Sequence, residues 1–402
     1  MTPVDPTILT INGGSSSIKF ALFRVREALD RRLHGKIEWS GADARLTFTD
    51  PEHDPPGGQR PGALDQASAP SILVDWLEAQ PAFASVRAVG HRLVHGMKHS
   101  EPEPVTQALL EELQRIAHSD PEHLPRAISL LEAFARRHPR LPQVACFDTA
   151  FHRRMPRVAR VLPIPRRYQA LGVERYGFHG LSFAYLMEAL QHLGDPAATT
   201  GRVILAHLGS GASMAAVHAG NSIDTSMGFT PASGLPMGTR SGDLDPGLVS
   251  YLARTERMTP SQFEHMVNHE SGLLGVSGLS SDMRVLLAQE ATEASASEAV
   301  ALFCYQAKKC IGAFAAALGG LDTLVFAGGI GEHAPVVRSR TCLGLGLLGI
   351  DLDERRNSAN EGVISSAKSR VTVRVIRTDE ECMIAKAVGR VLGIGPKGET
   401  PS

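Results

Sequence analysis

One short pattern occurs twice in the chain and limits the folds that the chain can adopt. An apolar run, a Gly/Ser turn and a second apolar run lie at residues 7–25 (TILTINGGSSSIKFALFRV) and recur at residues 202–219 (RVILAHLGSGASMAAVHA). Each copy is typical of two strands joined by a tight loop. Aligned on the turns, Gly13 matches Gly209 and Ser17 matches Ser213. We infer an internal duplication, in which each copy opens one domain with a strand, a phosphate-sized loop and a second strand.

The rest of the chain favours a two-domain α/β protein. Its 402 residues, 43% of them hydrophobic, are more than one compact unit of usual size needs. Apolar spacing predicts helices over residues 108–116, 127–137, 183–193 and 298–318, and strands over 86–89, 203–206, 324–327 and 371–376. Strands that alternate with helices in both halves indicate layered sheets. Residues 51–70, rich in Pro, Gly and Gln, are predicted to form a surface loop.

Charge and cysteine content exclude several classes of function. The formal net charge is -1, so no global field would draw the protein to nucleic acid or to an anionic membrane. The five cysteines are widely spaced without a CxxC pair, which argues against a disulfide framework and a zinc site. No apolar run reaches the roughly 18 residues of a membrane span, and the N-terminal residues show no signal-peptide pattern. We therefore expect a cytoplasmic protein.

Three glycine-rich loops could hold phosphate. Residues 12–17 and 207–213 are the two repeated turns, and Lys19 adds a cation to the first. The third loop, residues 327–332 (AGGIGE), follows an apolar strand and precedes a helix start, where a ribose or base could lie. Each loop alone is more often an ordinary turn, and none is a Walker A sequence. Three in one chain favour nucleotide binding.

Four segments combine Gly, His, Arg and Asp: GHRLVHG (90–96), CFDTAFH (146–152), RYGFHG (175–180) and GTRSGDLDP (238–246). Arg92 and Arg240 could hold carboxylate or phosphate oxygens with the guanidinium fork, or could form structural ion pairs. His179 could cap a helix or donate to a transferring phosphoryl group. Asp148 follows an apolar strand-like stretch, so it is either a helix N-cap or a catalytic group at a strand end.

These motifs, in this order, resemble the acetate kinase family, whose wider group includes propionate and butyrate kinases. The resemblance runs through INGGSSSIKF, GHRLVHG, CFDTAFH, RYGFHG, HLGSGAS, DTSMGFTPASGLPMGTRSGDLDPG, AGGIGE and TDEECMIA. The segment 224–247 is the most specific part, because chance does not give a family signature of that length.

The resemblance implies the duplicated α/β fold of actin, the sugar kinases and the large heat-shock chaperones (the ASKHA fold). ATP would bind in a cleft between two domains, and the usual assembly would be a homodimer. On this basis we expect the first domain at residues 1–150 plus 385–402 and the second, nucleotide-binding domain at residues 151–384.

The resemblance also suggests roles for individual residues. Asn12 and Glu380 match Mg²⁺ ligands, with Mn²⁺ as an alternative ion, and Arg92 matches a substrate-binding residue. Asp148 takes the position of proton transfer or positioning. His179 and Arg240 take those of transition-state stabilisers. The acid site would include His123, as a further phosphate contact, and the apolar Val94, Phe178 and Pro231. The nucleotide contacts would be Lys19, His207, Leu208, Gly209, Ser210, Gly211, Asp282, Met283, Arg284, Gly329, Ile330, Gly331, Glu332 and His333.

Chemistry and three departures refine the expected role. Acetate, with a carboxyl pKa of about 4 to 5, is already ionised at neutral pH, so we favour a positioning role for Asp148 over general-base catalysis. Glu122 stands where the family usually has an apolar residue, and it would repel a carboxylate substrate if it faced the acid pocket. Ser210 and His333 replace the usual Asn residues. A propionate kinase and a non-catalytic ATP-binding switch remain the alternatives.

Overall fold

The computed structural model describes residues 5–14, 17–40, 43–51, 58–62, 69–117, 120 and 122–395. The chain forms two compact units. The first unit comprises residues 1–150 and 379–402, and the second comprises residues 151–378.

The secondary-structure elements are numbered in chain order. The strands are β1 (Thr7–Gly13), β2 (Ser17–Val25), β3 (Leu29–Ser40), β4 (Asp43–Thr49), β5 (Gly58–Gly62), β6 (Val86–Leu93), β7 (Glu103–Pro104), β8 (Gln143–Phe147), β9 (Arg202–Leu208), β10 (Ala212–His218), β11 (Asn221–Thr225), β12 (Thr323–Ala327) and β13 (Thr372–Val375). The helices are α1 (Ala69–Glu78), α2 (Gln107–Ile116), α3 (Leu124–Arg137), α4 (Arg157–Arg160), α5 (Arg166–Gln169), α6 (Gly180–His192), α7 (Ala197–Thr200), α8 (Gly247–Thr255), α9 (Pro260–His265), α10 (Gly272–Ser277), α11 (Met283–Gln289), α12 (Ala294–Leu318), α13 (Gly328–His333), α14 (Pro335–Cys342), α15 (Glu354–Ser358) and α16 (Glu380–Leu392).

The first unit is built on a mixed sheet with the strand order β5-β4-β3-β2-β1-β6-β8-β7. β1, β6 and β8 run parallel, whereas β2 and β3 pair antiparallel with their neighbours. One core lies under α1 and α3 and includes Leu9, Phe20, Trp76 and Phe134. Helix α2 is capped by Thr106, whose hydroxyl accepts from the main-chain N–H of Leu109 at 3.2 Å.

The second unit is built on a smaller sheet with the order β11-β10-β9-β12-β13. Helix α6 packs on this sheet because Phe183, Leu186, Met187 and Leu190 recur at helical spacing and are all buried. The long helix α12 also packs on the sheet, against β10, and ends at Gly319 in the left-handed conformation (φ 70°).

The strand order confirms the predicted duplication. The central strands β3-β2-β1-β6-β8 of the first unit and β11-β10-β9-β12-β13 of the second have the same order and the same directions. The hairpins differ in the loop: Gly13 pairs with Ile18 in the first unit, and Leu208 pairs with Ala212 in the second. The first loop is therefore one residue longer than the second, and two of its residues, Ser15 and Ser16, lie outside the described part of the chain.

All the predicted helices and strands occur, with ends within a few residues of those expected. The loop predicted over residues 51–70 is wrong in two places. Gly58–Gly62 pairs antiparallel with β4, and α1 begins at Ala69; the other residues from 52 to 68 lie outside the described residues. This edge strand is formed by main-chain pairing with β4. Pro61 is tolerated there because one side of an edge strand is not paired.

The domain limit differs from the expected one. A limit between residues 384 and 385 would cut α16 in its first turns, whereas the structure groups the whole of α16 with the first unit. The reason is that α16 packs against β1, β6 and β8, and buries Ile384 and Val388 there. Over the residues that the structure describes, no helix is both long and apolar enough to cross a membrane.

Candidate functional site

In the first unit, two parallel strands bring an arginine and an aspartate together. β6 and β8 pair with Arg92 opposite Cys146 and Leu93 opposite Phe147, so Asp148 follows β8 beside Arg92. The main-chain N–H of Asp148 donates to the carbonyl of Leu93 at 2.8 Å, and Arg92 Nη2 donates to Asp148 Oδ2 at 2.8 Å. Two residues that are 56 positions apart in the chain thus form one buried ion pair.

Both charged groups of this pair are buried, so each depends on the other for the stability of its charge. The Asp148 side chain is fully buried and that of Arg92 is 12% exposed. Although burial alone would lower the pKa of the Arg92 guanidinium, the charges of Asp148 and Glu380 raise this pKa above its ordinary value. Arg92 therefore stays charged, and removing either member would leave a buried charge without its partner, at a cost of roughly 3–5 kcal/mol.

Asn12 connects this pair to the start of α16. Its Oδ1 accepts from Arg92 Nη1 at 3.2 Å, and its Nδ2 donates to Glu380 Oε2 at 2.8 Å and to Glu381 Oε1 at 2.9 Å. Glu381 was not predicted as a site residue, because the sequence shows only an acidic pair at a helix start. The Asn12 side chain therefore holds the carboxylates of Glu380 and Glu381 close to the ion pair of Arg92 and Asp148.

The residues present fit a Mg²⁺ ion of the kind used by kinases. Within the described residues, no group of three or more His, Cys, Asp or Glu side chains is arranged as a complete metal cage. Mg²⁺ does not require one, because it keeps several waters and binds one or two carboxylates together with substrate phosphates. Glu380, Glu381 and the Asn12 amide oxygen are donors of the hard, oxygen type that this ion takes.

Three other predicted residues of the first unit take no part in the hydrogen bonds of Asn12, Arg92, Asp148 and Glu380 described above. Lys19 is exposed and stands opposite Asn12 in the hairpin. Val94 is buried directly after β6. His123 precedes α3, and its Nδ1 lies 2.9 Å from Asp120 Oδ1. Glu122, the departure from the family pattern, is half-buried in the same turn.

In the second unit, His179 adopts an unusual backbone conformation. It precedes α6 with φ 57° and ψ 27°, in the left-handed region that non-glycine residues seldom adopt. Its Nδ1 lies 2.8 Å from Ser213 Oγ on β10, and its ring stacks on His207 at 4.3 Å between centroids, with 19° between the planes. Strain, stacking and a hydrogen bond together fix the direction of this imidazole.

The glycine loop after β9 lies against His179 and Arg240. A Cβ added to Gly211 would stand 3.3 Å from His179 Nε2 and 3.7 Å from Arg240 Nη1. A Cβ added to Gly209 would stand 3.8 Å from His207 Nε2 and 3.7 Å from the main-chain N of Gly329. Ring and guanidinium nitrogens therefore lie against the two glycines of this loop, and glycines let an anion approach the main chain closely.

The Arg240 guanidinium is also held by the chain around it. Nη1 donates to the carbonyl of Pro231 at 3.3 Å and approaches Met237 Sδ at 3.7 Å. The neighbouring Gly238 N–H donates to the carbonyl of Ser210 at 3.0 Å, which ties this segment to the glycine loop. Pro231 is thus placed beside Arg240 through its main-chain carbonyl.

The third glycine-rich segment, α13, begins where β12 ends. Ala327 stands opposite His207, and Gly328 has φ +76°; a Cβ there would lie 2.7 Å from the carbonyl oxygen of Leu208, so only glycine fits. Glu332 Oε1 accepts from the main-chain N–H of Gly328 at 2.9 Å and of Thr378 at 3.3 Å. Glu332, predicted as a nucleotide contact, braces the loop on which Gly329 lies.

A buried arginine anchors the same segment. Arg338 is fully buried, and its five N–H groups donate to the carbonyls of Gly331, Glu332 and Asn357 and to the side-chain oxygens of Asn357 and Asn360. Burial lowers its pKa to about 10, which still leaves it charged at neutral pH. No sequence pattern indicated this role for Arg338, because a lone arginine inside a helix usually lies on the surface.

The remaining predicted contacts are placed as follows. Asp282 caps α11 by accepting from the N–H of Arg284 at 2.8 Å, and the two side chains pair at 2.6 Å; Met283 between them is buried. The His333 side chain is 76% exposed. Phe178 is buried, and its carbonyl accepts from His152 Nε2 at 3.1 Å.

The structure thus brings some of the predicted residues into one group in each unit. The first-unit group contains Asn12, Arg92, Asp148 and Glu380, and the second-unit group contains His179, His207, Gly209, Gly211, Arg240 and Gly329.

Sequence reasoning did not assign roles to several residues that support these groups. Gly328 lies in the 327–332 loop, Thr378 and Glu381 lie in the TDEECMIA segment, and Ser213 aligns with Ser17 in the repeat, so these four carried a signal. Ser182, whose hydroxyl lies 2.8 Å from His207 Nδ1, carried none.

Comparison with known proteins shows the family to which the chain belongs. The chain is 43% identical to an acetate kinase of Rhodopseudomonas palustris, over 96% of this chain and 99% of that one. Its fold matches the crystal structure of an acetate kinase of Porphyromonas gingivalis (TM-score 0.84, 35% identity, 96% and 100% of the two chains). It also matches a propionate kinase of Francisella tularensis (TM-score 0.87, 34% identity, 95% and 98%). The model of the acetokinase family matches residues 7–386, and the chain belongs to that family.

Proposed function

We propose that the chain is an acetate kinase, which transfers the γ-phosphoryl group of ATP to acetate and gives acetyl phosphate and ADP. The observation that carries this proposal is the second-unit group, in which His179 Nε2 and Arg240 Nη1 lie against Gly211. Two N–H-bearing groups beside a glycine suit the three equatorial oxygens of a phosphoryl group in transfer.

The chemistry requires positioning and charge neutralisation more than covalent help. One carboxylate oxygen of acetate forms a bond to the γ-phosphorus as the bond from phosphorus to the β-γ bridging oxygen breaks, and ADP leaves with the electron pair. Arg240 and His179 donate to the phosphoryl oxygens as negative charge shifts on them. Gly209, Gly211 and Gly329 let the nucleotide phosphates approach the main chain closely.

The first-unit group is proposed to bind the acid and the metal. Arg92 presents a charged fork to the acetate carboxylate, and Asp148, fully buried, holds that fork in place. Because acetate is ionised at neutral pH, no general base is needed and Asp148 acts by positioning. Asn12 and Glu380 would hold Mg²⁺ or Mn²⁺, which would neutralise phosphate charge. In the first unit, Val94 is proposed as an apolar contact of the acid and His123 as a further contact. In the second unit, Phe178 and Pro231 are proposed as apolar contacts of the acid.

A propionate kinase is the second candidate, because a solved propionate kinase matches the fold as well as an acetate kinase does. One extra methylene in an apolar pocket changes binding by only about 1–3 kcal/mol, so the preference depends on small differences in pocket size. Glu122 is the residue to examine first.

We further propose a cytoplasmic homodimer. Exposed apolar side chains of the second unit such as Val158 (86% exposed), Leu171 (71%) and Leu347 (79%) are candidates for contact with a second copy. Five free cysteines and the use of ATP support a reducing, nucleotide-rich compartment. Light scattering coupled to size exclusion would test the dimer.

The activity can be tested by trapping the product. The purified protein would be incubated with Mg-ATP and separately with acetate, propionate, butyrate and formate, and the acyl phosphate would be captured with hydroxylamine while kcat/KM is compared. We expect acetate to give the highest kcat/KM. A higher value for propionate would move the preference to the second candidate. No acyl phosphate from any acid would contradict the proposal and favour an ATP-binding switch.

A further inference from the structure

Two buried serines hold the two stacked histidines of the second unit in the same way. Ser213 Oγ lies 2.8 Å from Nδ1 of His179, and Ser182 Oγ lies 2.8 Å from Nδ1 of His207. Both serine side chains are fully buried. Since each Nδ1 is held by a serine, the other ring nitrogen of each histidine is the one left to face the glycine loop.

The positions of the Nε2 atoms agree with this reading. His179 Nε2 lies 3.3 Å from the Cβ position of Gly211, and His207 Nε2 lies 3.8 Å from that of Gly209. Phosphate oxygens only accept hydrogen bonds, so each Nε2 can bind them only if it carries a proton. The tautomer of each ring therefore decides whether the pair can act on a phosphate.

The serine hydroxyls favour the required tautomer. Ser213 makes its hydrogen bond to His179, and a buried O–H without an acceptor costs more than an oxygen lone pair without a donor, so Ser213 donates to Nδ1. Ser182 also lies 2.8 Å from Thr378 Oγ1, so Thr378 can donate to Ser182 while Ser182 donates to His207 Nδ1. In both rings the proton then stays on Nε2.

A third histidine of the same unit provides an internal precedent. His152 Nδ1 lies 2.8 Å from the buried Ser222 Oγ, and its Nε2 lies 3.1 Å from the Phe178 carbonyl. A carbonyl oxygen can only accept, so His152 carries its proton on Nε2, and Ser222 must donate to Nδ1 if the ring is neutral. The same serine–histidine contact occurs here away from the glycine loop.

We propose that Ser213 and Ser182 are positioning residues for phosphoryl transfer, which hold His179 and His207 as Nε2–H donors aimed at the glycine loop. Stacked rings 4.3 Å apart repel each other when both are charged, so holding both neutral and pre-oriented also avoids a double imidazolium. This inference rests on the proposed kinase activity for its catalytic meaning, but not for its structural content.

The direct test is the tautomer itself. Two-bond ¹H–¹⁵N correlation spectra of histidine-labelled protein, assigned with His179→Gln and His207→Gln, report which ring nitrogen carries the proton. We expect Nε2–H in both rings at a pH at which they are neutral, and a mixture of tautomers for His179 in Ser213→Ala. An Nδ1–H ring in the unmodified protein would overturn the inference whatever the activity is.

Kinetics provide the second readout. Ser213→Ala should lower kcat by about tenfold, a fraction of the roughly 10²-fold cost of losing a whole donor, with the KM for ATP changed less than about threefold. Ser213→Thr, which keeps the hydroxyl, should restore most of the rate. Ser222→Ala removes the matching bond at His152 and should leave kcat within about twofold. An equal loss of kcat in Ser213→Ala and Ser222→Ala would indicate that Ser213 has a merely structural role, which would overturn the inference. If the parent protein forms no acyl phosphate, only the proposed function is contradicted.

Discussion

The two units share a topology but build their sites from different chemistry. In each hairpin, the second residue pair from the loop carries candidate site residues: Asn12 opposite Lys19 in the first unit, and His207 opposite Ser213 in the second. The first site consists of charged side chains that bind one another, whereas the second consists of glycines, main-chain groups and oriented rings. A duplicated sheet therefore fixes where a site forms, and the side chains decide what it binds.

The largest expected effect tests the second unit. Arg240→Ala removes a charged donor beside Gly211 and should lower kcat by roughly 10²- to 10³-fold, because charge on the phosphoryl oxygens loses a fixed partner. Arg254→Ala, on the exposed side of α8, is the matched control and should keep the parent rate. Near-normal turnover in Arg240→Ala would show that the second-unit group has been assigned to the wrong chemistry.

A second prediction concerns the support of the glycine segments. Arg338→Lys keeps the charge but cannot reproduce five hydrogen bonds, so it should lower the free energy of unfolding by at least about 2 kcal/mol. Arg340→Lys, two residues along the same helix, changes a partly exposed pair with Glu290 and should cost no more than about 1 kcal/mol. Urea unfolding of both variants measures the difference, and equal losses would mean that the Arg338 network contributes little.

A third prediction compares buried histidines of the two units. His152 is hydrogen-bonded at both ring nitrogens, whereas neither ring nitrogen of His91 has a hydrogen-bond partner among the described residues, and burial lowers the pKa of His91 to about 3. The unfolded chain takes up a proton below pH ~6.5 and the folded His91 does not. Stability should therefore fall by about 1.4 kcal/mol per pH unit from pH ~6.5 towards 3.

His91→Leu should remove this slope. Between pH 7 and pH 5, the parent protein should lose about 2 kcal/mol more than the variant in urea unfolding. His192→Gln, at an exposed position of α6, should keep the slope of the parent. If His91→Leu and the parent lose the same stability on acidification, His91 does not stay neutral in the folded state.

The smallest effect separates two adjacent carboxylates of the first unit. Glu380→Gln should raise the Mg²⁺ concentration for half-maximal rate by about tenfold, because a charged oxygen ligand is replaced by a neutral one. Glu381 binds the same Asn12 amide at 2.9 Å, so Glu381→Gln is a matched control with an expected change under about threefold. The reverse order would assign the metal to Glu381.

Much of the fold could be predicted from the sequence because it depends on local pattern. The repeat gave both hairpins, and helical spacing of residues such as Phe183 and Leu186 gave α6. Strand β5 was missed because main-chain pairing, which has no side-chain pattern, forms it. The limit of the second unit was misplaced because α16 belongs to the first sheet by packing, which chain order does not reveal.

The candidate site was less predictable from residue patterns. Arg92 and Asp148 were each ambiguous, and only the register of β6 and β8 makes them a pair. The Glu332 carboxylate accepts from two main-chain N–H groups, and no motif indicates these hydrogen bonds. The serines that hold His179 and His207 depend on contacts across the sheet, so they could be found only in three dimensions.

In the proposed mechanism, the first unit binds the acid and the second unit binds the nucleotide. This division is tested most directly by steady-state kinetics of two variants in which the concentrations of ATP and acetate are both varied. Arg92→Lys keeps the charge but loses the fork, and it should raise the KM for acetate about tenfold with the KM for ATP within about twofold. Gly328→Ala forces a Cβ to 2.7 Å from the Leu208 carbonyl and should do the reverse. If both variants raise the same KM, the two units do not divide acid and nucleotide binding as proposed.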